Sequence, residues 1–419
     1  MKRALGIVAD DFTGALMVAG YLEGAGLHCP VVFAPDAEIP SSPLVIAGTR
    51  TRTVPVADAI EELGRMADAL LRAGCERLAY KACATFDSTA EGNIGPAADY
   101  LADLMGARPV LMSAGFPRLG TTVHQGYLFY RGRLVSESIK RFDPLTPMSD
   151  PDLVRFLGQQ TPHRFALVNH ATLQRGTEAA RLEVERLAGE GAGHVLFDAT
   201  DQNDVETSAD VAAAMTGVVA ASDPLIIAYA TRLARMMQAE PVAPPRHVEG
   251  PAAVIAGSVG PVVLAQLAAF SARHPLLTLD LLGEAGEEGE IARAVEWAKE
   301  QRGREPFAIS TAVDQAGVDR AQAALGPIGA ARRAERILGA VARELRDQAG
   351  IRRFVVAGGE TSGAVVTALD ITSVRALPEG RLGTGFCVAP GPVPVSLYLK
   401  PGKLGADDVL LQAIEAMDE

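Results

Sequence analysis

The chain has 419 residues, 48% of them hydrophobic, which is enough to bury two cores, and two domains are the starting expectation. Its 39 Lys and Arg stand against 51 Asp and Glu, a net charge of −12 without a basic patch, which argues against nucleic acid as a partner. Cys29, Cys75, Cys83 and Cys387 form no Cys-x-x-Cys pair and have no histidine at zinc spacing, so they predict free thiols in a reducing compartment and argue against a structural metal.

The first apolar run stops at Asp10 and Asp11, too early for a signal-peptide core, and no apolar stretch is long enough to cross a bilayer. A cytoplasmic protein without a membrane partner is expected. Short apolar runs at 5–9, 44–47, 78–81, 110–112, 166–168, 195–197 and 225–228 read as buried strands. Between them lie amphipathic stretches such as the one after Pro55, where Val56, Ile60, Leu63, Met66 and Leu70 share one helical face. The run 127–135, centred on Arg131-Gly132, predicts a projecting hairpin. Prolines between Glu240 and Pro251 forbid regular structure, so the expected organisation is a domain over 1–238, a linker over 239–251 and a domain over 252–419. Further strands are predicted at 252–256, 276–279, 307–310, 354–357 and 395–399, with a long helix over 330–348. The alternation predicts an α/β protein of two lobes, each a largely parallel sheet flanked by helices.

Five stretches carry candidate chemistry. Ala9-Asp10-Asp11-Phe12-Thr13-Gly14-Ala15 ends the first strand, where open α/β sheets place ligands; the bland alternative is that one Asp caps the following helix. Tyr80-Lys81, followed by Phe86-Asp87-Ser88-Thr89 and Glu91-Gly92-Asn93-Ile94-Gly95-Pro96, places a lysine and small hydrogen-bonding residues where they can grip a carboxylate or hydroxyls, although such residues also serve ordinary turns and caps. Ala357-Gly358-Gly359-Glu360-Thr361-Ser362-Gly363 joins a strand to a helix, a turn whose N–H groups suit phosphate or which uses glycine for geometry alone. Ala256-Gly257-Ser258-Val259-Gly260 is a similar turn. Lys400-Pro401-Gly402-Lys403-Leu404-Gly405 offers two lysines to phosphate or forms a solvated turn. Neither a Walker A pattern nor a G-x-G-x-x-G fingerprint is present, which disfavours a nicotinamide-dependent dehydrogenase.

In this order, and together with Gln125-Gly126-Tyr127-Leu128-Phe129, Ser136-Glu137-Ser138 and Pro144-Leu145-Thr146-Pro147-Met148, these stretches resemble the four-carbon acid sugar kinase family over nearly the whole chain, its 3-oxo-tetronate kinase branch above all. The resemblance implies an ATP-dependent kinase of a small hydroxy or keto acid in carbohydrate catabolism, with Mg2+ offsetting the triphosphate charge and the active site in a cleft between the lobes. It implies sugar-acid contacts at Asp10, Asp11, Arg52, Lys81 and Asp87, with Asp11 or Asp87 accepting the hydroxyl proton. It implies ATP contacts at Ser258, Gly358, Gly359, Glu360, Thr361 and Gly402. A homodimer is left open, and the alternative is a sugar-acid or nucleotide sensor of the same fold without turnover.

The chain also departs from the family. Met17 replaces an acid, Thr121 an arginine, and Asp143-Pro144 a His-Pro pair, changes that predict a non-standard substrate. A glycine- and serine-rich turn is expected where Tyr229-Ala230-Thr231-Arg232 stands, and the loop from Lys400 to Gly405 differs from the usual Lys-Ser-Gly-Asn-Phe-Gly. These two changes predict weakened transfer.

Overall fold

The opening run is apolar along its whole length because both of its faces are covered: Leu5–Ala9 is fully buried and forms β1. The computed structural model describes residues 2–143, 145–257, 260–301, 305–311, 314–402 and 404–419. They fall into two units, Met1–Ala243 and Pro244–Glu419.

In the first unit β1 is followed by α1 (Phe12–Gly24), β2 (Val31–Val32), β3 (Leu44–Gly48), α2 (Val56–Arg72), β4 (Leu78–Lys81), α3 (Ile94–Met105) and β5 (Val110–Ser113). An antiparallel excursion comes next: β6 (Thr121–His124), β7 (Tyr127–Tyr130) and β8 (Arg133–Leu134). Its second turn is the predicted Arg131-Gly132, whose φ values of 50° and 79° are those of a two-residue hairpin turn. The chain returns through α4 (Leu153–Leu157), β9 (Arg164–Val168), α5 (His170–Leu173), α6 (Thr177–Gly189), β10 (Ala192–Phe197), α7 (Gln202–Ala214), β11 (Val219–Ala221) and α8 (Asp223–Met236). The strands run in the order β2-β3-β1-β4-β11-β5-β10-β9, every neighbouring pair parallel. Helices α1, α8, α7 and α6 pack in succession as one layer, and α2 with α3 forms another.

One predicted strand is wrong. Residues 225–228 lie inside α8, and the strand of this region is the shorter β11 just before it. Leu225, Ile226, Ala228, Tyr229 and Leu233 are all buried. A helix covered on most sides reads as a continuous apolar run, which periodicity alone does not separate from a strand.

The second unit contains β12 (Ala252–Ala256), α9 (Pro261–Ser271), β13 (Leu276–Thr278), α10 (Gly286–Gln301), β14 (Phe307–Ser310), α11 (Gln315–Leu325), α12 (Pro327–Asp347), β15 (Arg353–Ala357), α13 (Gly359–Ala368), β16 (Ser373–Ala376), β17 (Phe386–Ala389), β18 (Val395–Lys400) and α14 (Val409–Ala416). Its strands run β13-β14-β12-β15-β18-β17-β16; the first five are parallel and the last two antiparallel to their neighbours. Val254, Val355 and Tyr398 from the sheet pack on Phe270 and Leu410 in a single core.

Candidate active site

In each unit the strand order reverses direction beside its first strand. From β1 the chain goes to β3 on one side and β4 on the other; from β12 it goes to β14 on one side and β15 on the other. The carboxyl ends of these strands flank a crevice, the usual ligand position in an open α/β sheet.

At the end of β1, Asp11 caps α1: one oxygen accepts the Gly14 N–H and the other pairs with Arg52. The capping alternative is therefore correct for Asp11, and it does not exhaust the residue. Asp10 is buried, and its two oxygens accept from Arg52 Nε at 2.8 Å and Nη2 at 2.9 Å. Burial works to raise the Asp11 carboxyl, but Arg52, Lys81 and the Gly14 N–H together hold it below the usual carboxylate range.

Lys81, at the end of β4, is only 2% exposed. A Cβ on Gly14 would stand 2.0 Å from its Nζ and 2.6 Å from Asp11 Oδ1, so glycine is what lets this ammonium lie against the first turn of α1. Its ion-pair partner is Asp223, Nζ to Oδ1 3.4 Å, a carboxylate oxygen that is buried and has no hydrogen-bond donor. Burial opposes the charge on Lys81, and Asp223, Asp11 and Asp10 outweigh it and hold the pKa up. For Asp223 burial dominates and pushes the carboxyl up.

The loop after β4 turns at Phe86, a buried residue at φ 48°, in the left-handed region that L side chains enter only when the surroundings enforce it. That turn aims Asp87 back at the sheet edge. Asp87 Oδ1 accepts from Thr85 Oγ1 at 2.5 Å, Oδ2 from Lys140 Nζ at 2.7 Å, and the Asp87 N–H donates to Cys83 Sγ at 3.1 Å. Burial pushes the Cys83 thiol up to about 11, and it feels both Arg52 and Asp87, so the two clusters adjoin. Asn93 donates to the carbonyls of Thr51 and Val54, at 2.6 and 2.9 Å, which fixes the loop that carries Arg52. Thus Asp10, Asp11, Arg52, Lys81 and Asp87 come together at one sheet edge.

Two members of this cluster were missed from sequence. Asp223 had a signal, since Ser222-Asp223-Pro224 is a helix start with proline in the first turn, but the strand reading of 225–228 concealed it. Lys140 had none, because its contact with Asp87 spans 53 residues of chain. The supposed turn at Tyr229 to Arg232 is likewise corrected: these residues are interior to α8, with Tyr229 buried and Arg232 paired to Glu206 and Asp210. The turn that follows the strand there is Ser222-Asp223. A cavity of about 710 Å³ between α1, α7 and α8 is lined by Tyr21, Phe116, Pro224 and Arg235 and by none of the five predicted contacts.

In the second unit Gly358, Gly359, Glu360 and Thr361 occupy the turn from β15 into α13. Gly358 has φ 126°, open in practice to glycine only, and its N–H donates to the Lys400 carbonyl at 3.0 Å. By position, the N–H groups of Gly359, Glu360 and Thr361 have no acceptor within the helix. Lys400 ends β18 in register with Ala357, so it and Gly402 reach the same edge. Its side chain is 3% exposed and donates to the Pro401 carbonyl at 2.7 Å; burial lowers its pKa to about 8. Gly257 adjoins through its N–H to the Ala357 carbonyl, at 3.4 Å. Ser258, Lys403 and Pro144 lie outside the described residues.

Family models match both units. Residues 5–229 match a sugar-binding N-terminal domain and residues 253–410 a nucleotide-binding C-terminal domain. The chain is 34% identical over 421 residues to a 3-oxo-tetronate kinase of Burkholderia multivorans, covering 100% of this chain and 98% of that protein. It is 36% identical over 426 residues to one of Methylobacterium radiotolerans, covering 100% of both.

The chain belongs to the four-carbon acid sugar kinase family.

As a member of that family it is a carbohydrate kinase, a phosphotransferase. A solved structure of a Salmonella typhimurium LT2 protein superposes on this kinase with a TM-score of 0.84 at 29% identity, over 98% of each chain. Among the described residues no helix is long and apolar enough to cross a membrane.

Proposed function

We propose that this kinase transfers the γ-phosphoryl group of ATP to a hydroxyl of a small sugar acid, of four carbons or similar, in cytoplasmic carbohydrate catabolism. The observation that carries the reading is the pairing of two unlike switch points: a cluster of acids and cations in the unit that matches a sugar-binding model, and a glycine turn beside a buried lysine in the unit that matches a nucleotide-binding model. In this reading residues 1–238 hold the acid, 239–251 are the linker and 252–419 hold the nucleotide.

Asp10 keeps Arg52 fixed at the sheet edge, and Arg52 and Lys81 face the oxygens of the substrate. Asp87 accepts the hydroxyl proton as the oxygen attacks phosphorus and ADP leaves. It suits that role better than Asp11, whose oxygens cap a helix and pair with Arg52, and whose depressed pKa makes it a poor acceptor. The N–H groups of Gly359, Glu360 and Thr361, which have no acceptor within the helix, cradle phosphate with the start of α13 behind them, and Lys400 adds positive charge. Among the described residues there is no group of three or more His, Cys, Asp or Glu for an ion. This donor set fits a magnesium ion carried by phosphate oxygens and water with one carboxylate from the protein, Glu360 being the acid at that turn. Bound there, the ion would supply charge neutralisation to the triphosphate.

The test is ADP release from ATP and magnesium with 3-oxo-tetronate, L-threonate or D-erythronate. Release that needs one of these acids supports the reading; saturable nucleotide binding without turnover on any of them refutes it.

A further inference from the structure

Each of the three cations named at the sugar-acid edge is already committed: Arg52 to Asp10 and Asp11, Lys81 to Asp223, and Lys140 to Asp87. Four carboxylates face three cations, so an incoming carboxylate meets a net negative site and gains a partner only by displacing a resident acid. The four pairings are not equally exchangeable. Asp10 and Arg52 share two parallel hydrogen bonds, and Asp10 is 3% exposed at its side chain. Lys81 and Asp223 are both buried on rigid elements, and parting them strands a charge. The Arg52–Asp11 pair is open, 27% and 26%, but Asp10 keeps Arg52 in place and the Gly14 N–H holds Asp11; in the Lys140–Asp87 pair, 24% and 16% exposed, the lysine is held by one carboxylate.

That lysine also sits on a short turn outside the sheet and the helices whose ends carry the partners of the other two cations. Lys140 belongs to a single 3₁₀ turn, Ile139–Phe142, beyond the antiparallel excursion. Ser138 caps that turn, and the Met148 N–H holds the Lys140 carbonyl at 3.1 Å. The result is a turn that presents Ile139 and Phe142 to solvent while Lys140 reaches inward over Tyr130 to Asp87.

We infer that Lys140 reads the carboxylate of the substrate, leaving Asp87 to do so, and that this exchange of partners frees Asp87 to take the hydroxyl proton only when an acid is bound. The inference rests on the kinase reading above and adds its selectivity: an acid is preferred over its neutral counterpart because only the acid releases the base. Lys81 and Arg52 then hold hydroxyl and keto oxygens.

Two probes differ at one group: 3-oxo-tetronate, and erythrulose, in which that carboxylate is a hydroxymethyl. Wild-type protein, Lys140→Gln and Lys140→Arg are compared for kcat/KM on both, with calorimetric binding of each probe as the second readout. Lys140→Gln is expected to lose acid preference on the order of 100-fold, by weaker activity on the acid and by a gain on erythrulose, because Asp87 is then released with no acid bound. Lys140→Arg is expected to keep most of the preference. If Lys140→Gln folds as wild type and discriminates as wild type does, the inference is overturned and the kinase reading stands. If wild-type protein neither binds nor phosphorylates 3-oxo-tetronate, L-threonate or D-erythronate, both fall together.

Discussion

In the proposed reading the two switch points meet an anionic ligand in opposite ways. The first fills its edge with paired full charges, Asp10 and Asp11 on Arg52, Asp223 on Lys81, Asp87 on Lys140. Among the described residues the second shows fewer charges: a glycine at positive φ, a helix start that carries Glu360, and Lys400, whose ammonium donates to a carbonyl. A lattice of paired charges costs a ligand something to enter and therefore discriminates by shape and charge placement. Backbone N–H groups and an ammonium accept any polyphosphate that fits, which suits a donor common to many reactions.

Removing the proposed base is the sharpest way to break the contrast. Asp87→Asn is expected to lower kcat by roughly 10²–10⁴-fold while ATP affinity stays within about threefold, measured by steady-state kinetics and nucleotide titration. Equal losses on both sides would show that the two edges are not separable. Next comes the buried pair. Lys81→Met strands Asp223 and is expected to cost about 3–5 kcal/mol in chemical denaturation, whereas Lys81→Met with Asp223→Leu should recover most of that stability and none of the activity.

The effects on the nucleotide side are smaller. Gly358→Ala puts a Cβ at φ 126° and is expected to cost about 1–3 kcal/mol, read as weaker ATP binding with acid binding unaltered. The smallest is a pH effect. Burial depresses Lys400, so the folded protein holds this ammonium fully only below about pH 8, and a bound phosphate favours the charged form. ATP affinity should therefore fall by up to about tenfold as pH rises from about 7 to 9, and Lys400→Met should flatten that profile.

The sequence was most legible where one local rule acted alone. β1, β4, β12 and β14 were placed residue for residue because each is a short apolar run closed by polar residues. The hairpin at Arg131-Gly132 was equally plain from its turn chemistry. The buried α8 was not, since Leu225 to Ala230 in its first turns are apolar without a break, and mistaking its start for a strand hid Asp223 at the sheet edge. The contacts that pair the candidate residues were beyond local reasoning altogether. Arg52 meets Asp10 across 42 residues and Lys140 meets Asp87 across 53, and distances of that kind belong to topology.

Cys83 has a practical bearing on all of this. Of the four thiols, Cys29, Cys75 and Cys387 are buried, and Cys83 alone is partly open. Its sulfur accepts the Asp87 N–H, and its pKa near 11 makes it slow to react at neutral pH. The protein therefore carries a native chemical reporter one hydrogen bond from its proposed base. The rate at which a small alkylating reagent modifies Cys83, followed by intact mass, reads occupancy of the acid site in the unaltered chain, before any product has been made.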